Sequence, residues 1–534
     1  MNSRDERSAN RPNIILILAD DMGFSDIGCY GSEIQTPNLD HMAAGGIRFT
    51  QTYNCARCCP TRASLLTGLY PHQAGIGHMV SNRGIPAYQG HLRDDCVTIA
   101  EALRAGGYRT LMSGKWHVGG IYKRNDASDW HLGDPERPIP PDRGFDDWYG
   151  TPAGAGSYFN PRPLFRNYAL IEPEGDNYYY TDAVSDNAVR MIEEAAEGDQ
   201  PFFLHVSYTA PHWPLHAIEK DIARYRGRYR DGWDAVRTAR HEELKGLGIL
   251  DPRWPISPRD EQAPDWTDVQ HQDWEDRRMA VYAAQVDCMD RGIGRIVAKL
   301  RELRIVQDTL TIFMSDNGGC AELLREEGQQ AKEWPTTREG LPMKFGNISG
   351  LMPGDPTTYQ SYDLPWANAS NTPFRLYKHW VHEGGIATPM IAYWPKTITE
   401  SDIDHCLIHV IDLMATFLDV AGVEYPHEYS GRPIQPLEGE SFAPALRGEA
   451  WQREHPIFWE HEGNRAVRDG RWKLVNKYPG NWELYDMIQN RTELNDLAAR
   501  NRLQVEKMVA MYDEWAERCG VVPWEELLAR GRNR

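Results

Sequence analysis

Four oxygen-bearing side chains follow two apolar segments of the sequence. Asp20 and Asp21 end the segment NIILILADD, and Asp316 and Asn317 interrupt the segment TLTIFMSDNGG. A set of oxygen donors suits a hard cation, Ca²⁺ or Mg²⁺, better than zinc. Asp-Asp and Asp-Asn-Gly-Gly are also ordinary turn sequences, and either pair alone favours that interpretation. Because both pairs directly follow an apolar run, the sequence predicts a metal site.

Basic and imidazole side chains also lie next to apolar runs of the sequence. Lys115 and His117 follow the run RTLMSG, His212 follows PFFLHVSYTAP, and Lys378 precedes another apolar run at 389–394. Each of these residues alone is as typical of a solvated turn or a structural histidine as of a site. Together, cations and a histidine that donates a proton would suit a tetrahedral oxyanion and its leaving group.

A cysteine cluster lies in the stretch YNCARCCPTRASLLTG, with Cys55, Cys58 and Cys59. The C-x-x-C spacing has no second pair at zinc spacing, and a thioredoxin-like couple belongs to a smaller fold. A disulfide between Cys58 and Cys59 would be strained, and plain buried thiols are the general alternative. Pro60 suits the first turn of a helix. Cys58 is therefore expected at a helix N-terminus, where backbone N–H groups and the helix dipole favour an anion.

The elements that must position these residues alternate along the chain. Apolar runs typical of strands buried on both faces lie at 13–21, 109–117, 201–212 and 309–319. Helical patterns lie at 95–107, 279–303 and 410–422. This alternation predicts a doubly wound α/β domain, in which ligands bind at the carboxyl ends of the strands. Four strand ends here carry Asp, Lys, His or Asn, which packing alone does not explain.

A second, smaller unit is expected at the C-terminus. Residues 423–456 have the composition of a connector, 466–486 read as short strands with a turn at 479–481, and a helix is expected near 502–518. We predict a catalytic α/β domain over residues 10–445 and an antiparallel α+β subdomain over 446–534.

Composition excludes several classes of partner. The 534 residues carry a formal net charge of −19, which argues against nucleic acid and anionic membranes. No run reaches the roughly 20 apolar residues that span a bilayer. The N-terminus has no apolar signal region, so the expected location is cytoplasmic by default, or periplasmic or secreted if a signal was removed. Nine scattered cysteines fit a mostly reduced protein.

The run Cys58-Cys59-Pro60-Thr61-Arg62 matches the C-x-P-x-R signature of the type I, formylglycine-dependent sulfatases. The sequence resembles this family nearly end to end, through NIILILADDMG, GKWH, TAPHWP, SDNGG, EGGIATP and WKLV…WELYD, and most resembles its bacterial arylsulfatase branch. Thr61 stands where the family usually has Ser or Ala. The resemblance implies the alkaline-phosphatase-like fold, with a large, mixed but mostly parallel sheet flanked by helices. It also implies hydrolysis of sulfate monoesters, such as aryl sulfates or sulfated carbohydrates, to an alcohol or phenol plus inorganic sulfate.

The resemblance also implies a modified nucleophile and a metal. Cys58 would be oxidised by a formylglycine-generating enzyme to Cα-formylglycine, whose hydrate attacks sulfur. The implied cation is Ca²⁺ rather than Mg²⁺. Its implied ligands are Asp20, Asp21, Asp316, Asn317 and the modified Cys58.

Further residues take roles from the same resemblance. Arg62 would stabilise the ionised formylglycine, and Asp316 is a base for activating the diol. Lys115 and Lys378 match the sulfate-binding lysines. His212 matches the group that protonates the leaving oxygen. His117 matches the histidine that aids collapse of the sulfated intermediate.

Two alternatives remain at this point. Phosphonate monoester or phosphodiester hydrolases share the fold and the motif, and a catalytically silent homologue could bind sulfated glycans. A silent homologue is expected to have lost a metal ligand, the cysteine or a lysine, whereas every matched position is retained here.

Overall fold

The computed structural model describes residues 11–123, 125–327, 332–333 and 335–532, so both predicted domain spans include residues outside that description. The described chain contains eighteen strands and thirteen α-helices. The strands are β1 Asn13–Asp20, β2 Ile47–Tyr53, β3 Arg109–Gly114, β4 Asp147–Gly150, β5 Leu164–Arg166, β6 Ala169–Ile171, β7 Phe202–Pro211, β8 Thr309–Ser315, β9 Lys344–Phe345, β10 Thr358–Tyr359, β11 Ala387–Tyr393, β12 Asp402–His409, β13 Glu428–Tyr429, β14 Arg432–Pro433, β15 Ile457–His461, β16 Asn464–Asp469, β17 Trp472–Asn476 and β18 Trp482–Asp486. The helices are α1 Pro37–Ala44, α2 Cys58–Thr67, α3 Ile99–Ala105, α4 Tyr180–Ala196, α5 Glu219–Ile222, α6 Gly232–Gly246, α7 Gln272–Glu302, α8 Asp363–Ser370, α9 Glu383–Ile386, α10 Asp412–Ala421, α11 Ala443–Leu446, α12 Arg502–Cys519 and α13 Trp524–Arg532.

A ten-stranded sheet with the order β12-β2-β11-β8-β1-β7-β3-β4-β5-β6 forms the centre of the larger part. Strands β8, β1, β7 and β3 run parallel to one another, whereas β11 pairs antiparallel with both β2 and β8. The predicted mixed, mostly parallel α/β sheet is therefore confirmed. The four adjacent parallel strands are the four apolar runs whose ends carry the polar residues.

Strand β1 is buried on both faces because alternate side chains enter two different cores. Ile15 and Ile17 pack with helices α4 and α7. Ile14 and Leu16 pack with helices α2, α3 and α10 on the other face. A continuous apolar run is what such a strand requires, since neither face meets solvent.

Helix α7 begins seven residues before the apolar pattern that predicted it. The pattern starts near residue 279, but the helix starts at Gln272 and carries Asp273 and Glu275 in its first turn. Acidic side chains at this end interact favourably with the helix dipole. The first turns of α7 are therefore mostly polar, and a prediction based on hydrophobic spacing does not include them.

The C-terminal strands β15 to β18 form a four-stranded antiparallel sheet in sequence order. Helix α12 covers one face, where Met508, Tyr512 and Trp515 pack against Val467 and Leu474. The predicted antiparallel sheet is confirmed. The helix expected near 502–518 spans Arg502–Cys519.

A buried ion network, which we call the interface cluster, joins this sheet to the larger part. It consists of Glu383, Lys473, Arg491 and Glu493, all at most 1% exposed. Lys473 Nζ lies 2.8 Å from Glu383 Oε1 and 2.7 Å from Glu493 Oε1. Arg491 Nε lies 2.6 Å from Glu383 Oε2, which also accepts a 2.9 Å hydrogen bond from Tyr53.

Two further properties concern the cysteines and the helix lengths. All nine cysteines lie in the described part of the chain and are free thiols. Over the same described residues, no helix is both long and apolar enough to cross a membrane.

Candidate active site

Three carboxylates and one amide meet where strands β1 and β8 end. Asp20, Asp21, Asp316 and Asn317 are all at most 1% exposed. The backbone N–H of Asp21 donates to Asp316 Oδ1 at 3.2 Å, and Asn317 Nδ2 donates to Asp21 Oδ1 at 2.7 Å. Asp21 adopts a left-handed backbone with φ of 65°. Strained backbone of this kind in a residue other than glycine is typical of functional sites.

Two oxygens of this group are buried without a partner. Among the described residues, none forms a hydrogen bond with Asp20 Oδ1 or Asn317 Oδ1. Burial raises the pKa of Asp316, and the charge of Asp20 raises it further. A hard cation held by Asp20, Asp21, Asp316 and Asn317 would use the free oxygens and offset the crowded negative charge, so the donor set fits Ca²⁺.

Three cationic side chains surround the carboxylates. Arg62 Nε donates to Asp316 Oδ2 at 3.0 Å, and its Nη2 lies 2.8 Å from the same oxygen. Lys115 Nζ contacts Asp20 Oδ2. Lys378 Nζ lies 2.8 Å from Asp21 Oδ2. Each cation is nearly or fully buried, so the group that meets it must be anionic or strongly polar.

Short backbone contacts explain how the two lysines reach the site. The N–H of Lys115, which directly follows β3, donates to Ser207 in β7 at 2.8 Å. The N–H of Lys378 donates to the carbonyl of Gly319, just beyond Asn317, at 3.1 Å. Both lysines are therefore fixed by the ends of neighbouring strands.

The two histidines take different positions. His212 Nε2 lies 3.2 Å from both Lys378 Nζ and Asp21 Oδ2, and its Nδ1 is 2.7 Å from the carbonyl oxygen of Trp213. Burial lowers the pKa of His212 to about 3 and that of His117 to about 4. His117 also has a left-handed backbone, with φ of 59°.

The cysteine cluster begins helix α2. Cys58 is its first residue, as the position of Pro60 predicts, and Arg57 precedes it as N-cap. The Sγ atoms of Cys58 and Cys59 are 4.0 Å apart, which excludes a disulfide. A hydrogen bond from Cys59 lowers the pKa of Cys58, and the charge of Cys58 raises the pKa of Asp316 and of Lys378. Cys58 therefore lies near both the carboxylates and the cations.

The remaining cysteines of the cluster have other neighbours. Cys59 Sγ lies 3.3 Å from His117 Nε2. Cys55 Sγ lies 3.8 Å from His409 Nε2, on the side of strand β12. Cys55 is therefore not among the groups that surround the carboxylates.

Sequence reasoning missed two features of the site. Ser207 Oγ donates to the carbonyl of Lys115 at 2.7 Å and also contacts Arg62, which fixes both cations. Arg57 and Glu322 form a 3.0 Å ion pair with side chains 19% and 32% exposed, so they lie nearer the surface than the buried groups. Arg57 could have been predicted near the site, because it directly precedes the cysteine that begins the helix. Ser207 lies inside an apolar run, which gave no signal.

Comparison with known proteins gives a consistent result. The family model described as Sulfatase matches residues 12–423, and that described as N-sulphoglucosamine sulphohydrolase, C-terminal, matches 374–515. An uncharacterized sulfatase of Schizosaccharomyces pombe is 31% identical, covering 97% of this chain and 95% of its own. An arylsulfatase of Klebsiella aerogenes is 33% identical, covering 81% of this chain and 91% of its own.

A solved structure also resembles the whole molecule. It is that of Ps i-CgsB in complex with k-i-k-neocarrahexaose, with a TM-score of 0.66 and 26% sequence identity. The likeness covers 95% of this chain and 93% of that chain.

Proposed function

The chain belongs to the sulfatase family and is a sulfuric ester hydrolase, and from that premise we propose that it works through a Cα-formylglycine made from Cys58 and a Ca²⁺ ion. The observation that carries this proposal is the pair of unpartnered oxygens on Asp20 and Asn317, beside the helix that begins with Cys58. Asp20, Asp21, Asp316, Asn317 and the modified Cys58 would hold the ion. A bound Ca²⁺ supplies positive charge that favours ionisation of the nucleophile and polarises the sulfate ester.

The first step is transfer of the sulfuryl group. Asp316 would take a proton from the hydrated side chain at position 58, which when modified supplies the nucleophilic oxygen for attack on sulfur. The ester S–O bond breaks as His212 protonates the leaving oxygen. Lys115 and Lys378 neutralise the sulfuryl oxygens, and Arg62 stabilises the ionised hydroxyl.

The second step releases sulfate. His117 would take the proton of the second hydroxyl, so that the modified side chain could return to its aldehyde form with release of inorganic sulfate. Water then rehydrates the aldehyde. A serine at position 58 would have no second hydroxyl and would keep the sulfuryl group.

Histidine pKa values support these two roles. Because burial lowers the pKa of both rings far below 6.5, His117 is neutral at pH 7 and able to accept a proton. His212 is also neutral in the unliganded state, and it lies beside Lys378. We propose that the negative charge of a bound ester, together with hydrogen bonding, brings His212 to the protonated state that it needs as an acid.

The names of the relatives support a proposal for the substrate class. Among them are arylsulfatases, an N-acetylgalactosamine-6-sulfatase of Sus scrofa and the carbohydrate-bound Ps i-CgsB. We propose aryl sulfates as synthetic substrates and sulfated saccharides as the natural class. We propose that the partly exposed pair Arg57 and Glu322 contacts the part of the substrate beyond the ester.

The modification is tested by mass spectrometry of the peptide that contains Cys58, after co-expression with a formylglycine-generating enzyme. We expect loss of the thiol and gain of the aldehyde. An unmodified Cys58 in an active preparation would overturn the proposed nucleophile.

Substrate class is tested by hydrolysis rates on matched aryl sulfate, phosphate monoester, phosphodiester and phosphonate monoester, and on a panel of sulfated saccharides. We expect the sulfate ester to be the best of the aryl series. If the phosphodiester or phosphonate were hydrolysed faster, the enzyme would be a phosphonate or phosphodiester hydrolase on the sulfatase scaffold. Absence of turnover on every ester, with sulfated saccharides still bound, would identify a silent binding homologue.

A further inference from the structure

A further group of metal-ligating side chains includes none of the residues of the carboxylate centre. We call His78, His379, His461 and Glu462 the histidine cluster. They come from three segments: the loop after α2, the residue that follows Lys378, and the hairpin between β15 and β16. None of the four belongs to the signature, the strand ends or the ligand set assigned above.

The cluster is centred on the carboxylate of Glu462. His379 Nδ1 lies 2.8 Å from Glu462 Oε2, and His78 Nε2 lies 2.7 Å from Glu462 Oε1. His461 Nε2 lies 3.8 Å from Glu462 Oε1. One ligand atom each from His379, His461 and Glu462 lie within 4.8 Å of one another. Three ligand atoms at these separations can converge on one ion after small side-chain movements.

Within the described residues, the imidazole ring of His461 is buried without a hydrogen bond. It is 0% exposed, and within the described chain neither ring nitrogen has a partner. A buried polar atom without a hydrogen bond is costly, by roughly 1–3 kcal/mol. Two such atoms on one ring, next to two further imidazoles and a carboxylate, indicate that a ligand normally satisfies them.

We propose that the histidine cluster binds a transition-metal ion of the zinc type, with His379, His461 and Glu462 as ligands and His78 as the fourth. Three imidazoles and one carboxylate are ligands typical of Zn²⁺ and unsuited to Ca²⁺, which prefers oxygen. Four protein side chains complete a tetrahedral coordination and leave no open position, which is typical of a structural site.

The surroundings of the cluster fit such a site. The ring of Trp380 lies 4.5 Å from that of His379, and the ring of Trp524 lies 5.2 Å from that of His78. Aromatic cover of this kind lowers the local dielectric and limits access of water to the ion. The site joins the C-terminal hairpin to two loops of the larger part, one of which carries Lys378.

The test is metal binding by the full-length protein. The protein is stripped of transition metals, kept in excess Ca²⁺, and titrated with Zn²⁺ against a competing chromophoric chelator. We expect one equivalent to bind per chain. Glu462→Gln should weaken that affinity by more than about 100-fold, since even second-shell losses cost about 10–100-fold. His379→Asn should do the same, because Asn tolerates the left-handed backbone at that position, where φ is 90°.

Glu460→Gln is the matched control. Glu460 lies in β15, two residues before Glu462, and its Oε2 is 2.9 Å from Nε2 of His72, which is outside the histidine cluster. It also accepts the N–H of Gly463, which glutamine can still do. Zn²⁺ affinity should be unchanged in this variant, and near-ultraviolet circular dichroism checks that all three variants are folded.

The visible absorption spectrum of bound Co²⁺ distinguishes the possible ligand atoms. Co²⁺ bound at the histidine cluster should give the visible bands of tetrahedral nitrogen and oxygen coordination. A thiolate-to-cobalt charge-transfer band would place the ion at Cys58 and Cys59 and would overturn the proposal. Equal Zn²⁺ affinity of wild type and Glu462→Gln, or no binding by the wild type, would overturn it as well. None of these outcomes depends on sulfatase turnover.

Discussion

The carboxylate centre and the interface cluster are both buried and both balanced in formal charge, yet among the described residues only the carboxylate centre has side-chain oxygens that no cation or hydrogen-bond donor contacts. At the carboxylate centre, Asp20, Asp21 and Asp316 face Arg62, Lys115 and Lys378. At the interface cluster, Glu383 and Glu493 face Lys473 and Arg491. Net charge therefore does not distinguish the two.

The contacts of the side-chain oxygens do distinguish them. Both oxygens of Glu383 are used, one by Lys473 and the other by Arg491 and Tyr53. Within the described residues, Asp20 Oδ1 and Asn317 Oδ1 have no such partner. A buried oxygen without a hydrogen bond lowers the stability of the fold, and a bound ligand can offset that loss of free energy. We therefore interpret the interface cluster as a contact between two sheets, and the free oxygens support the proposal that the carboxylate centre binds a cation.

The largest effect is expected where the carboxylate centre meets its nucleophile. Cys58→Ser should lower kcat/KM on an aryl sulfate by at least about 10⁴-fold, because serine cannot release the sulfuryl group. Its free energy of unfolding should change by less than about 1 kcal/mol, since the side chain keeps its size. Turnover assays and urea denaturation measure the two quantities.

Cys59→Ala is the control for this prediction. Its thiol contacts His117 but has no role in transfer, so most activity should remain. A loss as large as that of Cys58→Ser would show that the nucleophile has been assigned to the wrong cysteine.

Glu383→Gln should have the opposite effect to Cys58→Ser, because we expect it to lower the free energy of unfolding. It removes the charge that faces Lys473 and Arg491, and breaking a buried ion network at one partner costs about 3–5 kcal/mol. Urea denaturation followed by tryptophan fluorescence measures the loss. Glu526→Gln is the control, since Glu526 and its partner Arg530 are both about half exposed, and we expect a cost below about 1 kcal/mol. Equal losses in both variants would mean that the interface cluster has no special role in holding the sheets.

Acid should weaken the interface cluster specifically. Burial alone would raise the pKa of Glu383, but Lys473 and Arg491 together lower it from 4.5 to about 2. A depressed folded-state pKa stabilises the fold above pH 4.5, and that contribution of about 3 kcal/mol is lost as the pH falls towards about 2. The difference in unfolding free energy between wild type and Glu383→Gln should therefore shrink over this range. A difference that stays constant with pH would contradict the assignment.

The sequence predicted the carboxylate centre better than the interface cluster, for a physical reason. Asp20 and Asp316 each follow an apolar run, and parallel strands bring such ends to one edge of the sheet. Glu383 and Lys473 are 90 residues apart, and no periodicity relates a helix terminus to a strand of another sheet. The sequence did not predict the histidine cluster for the same reason, because its members come from three separate segments. Polar residues at strand ends can thus be predicted from the local sequence pattern. Contacts between the two sheets cannot.

The smallest effect on stability, and the sharpest test of the comparison, is expected from Asp316→Asn. In the presence of a calcium chelator its unfolding free energy should stay within about 1 kcal/mol of wild type. Burial and Asp20 raise the pKa of Asp316, so neutralising it relieves a repulsion that offsets the weakened contact with Arg62. Ca²⁺ at 100 times its Kd should then stabilise the wild type by about 2.7 kcal/mol and the variant by less, because a ligand has been lost. Thermal and urea denaturation with and without Ca²⁺ measure both differences. If the ion stabilised both proteins equally, the free oxygens of Asp20 and Asn317 would not mark its site, and incomplete contact would no longer separate a binding site from an interface in this molecule.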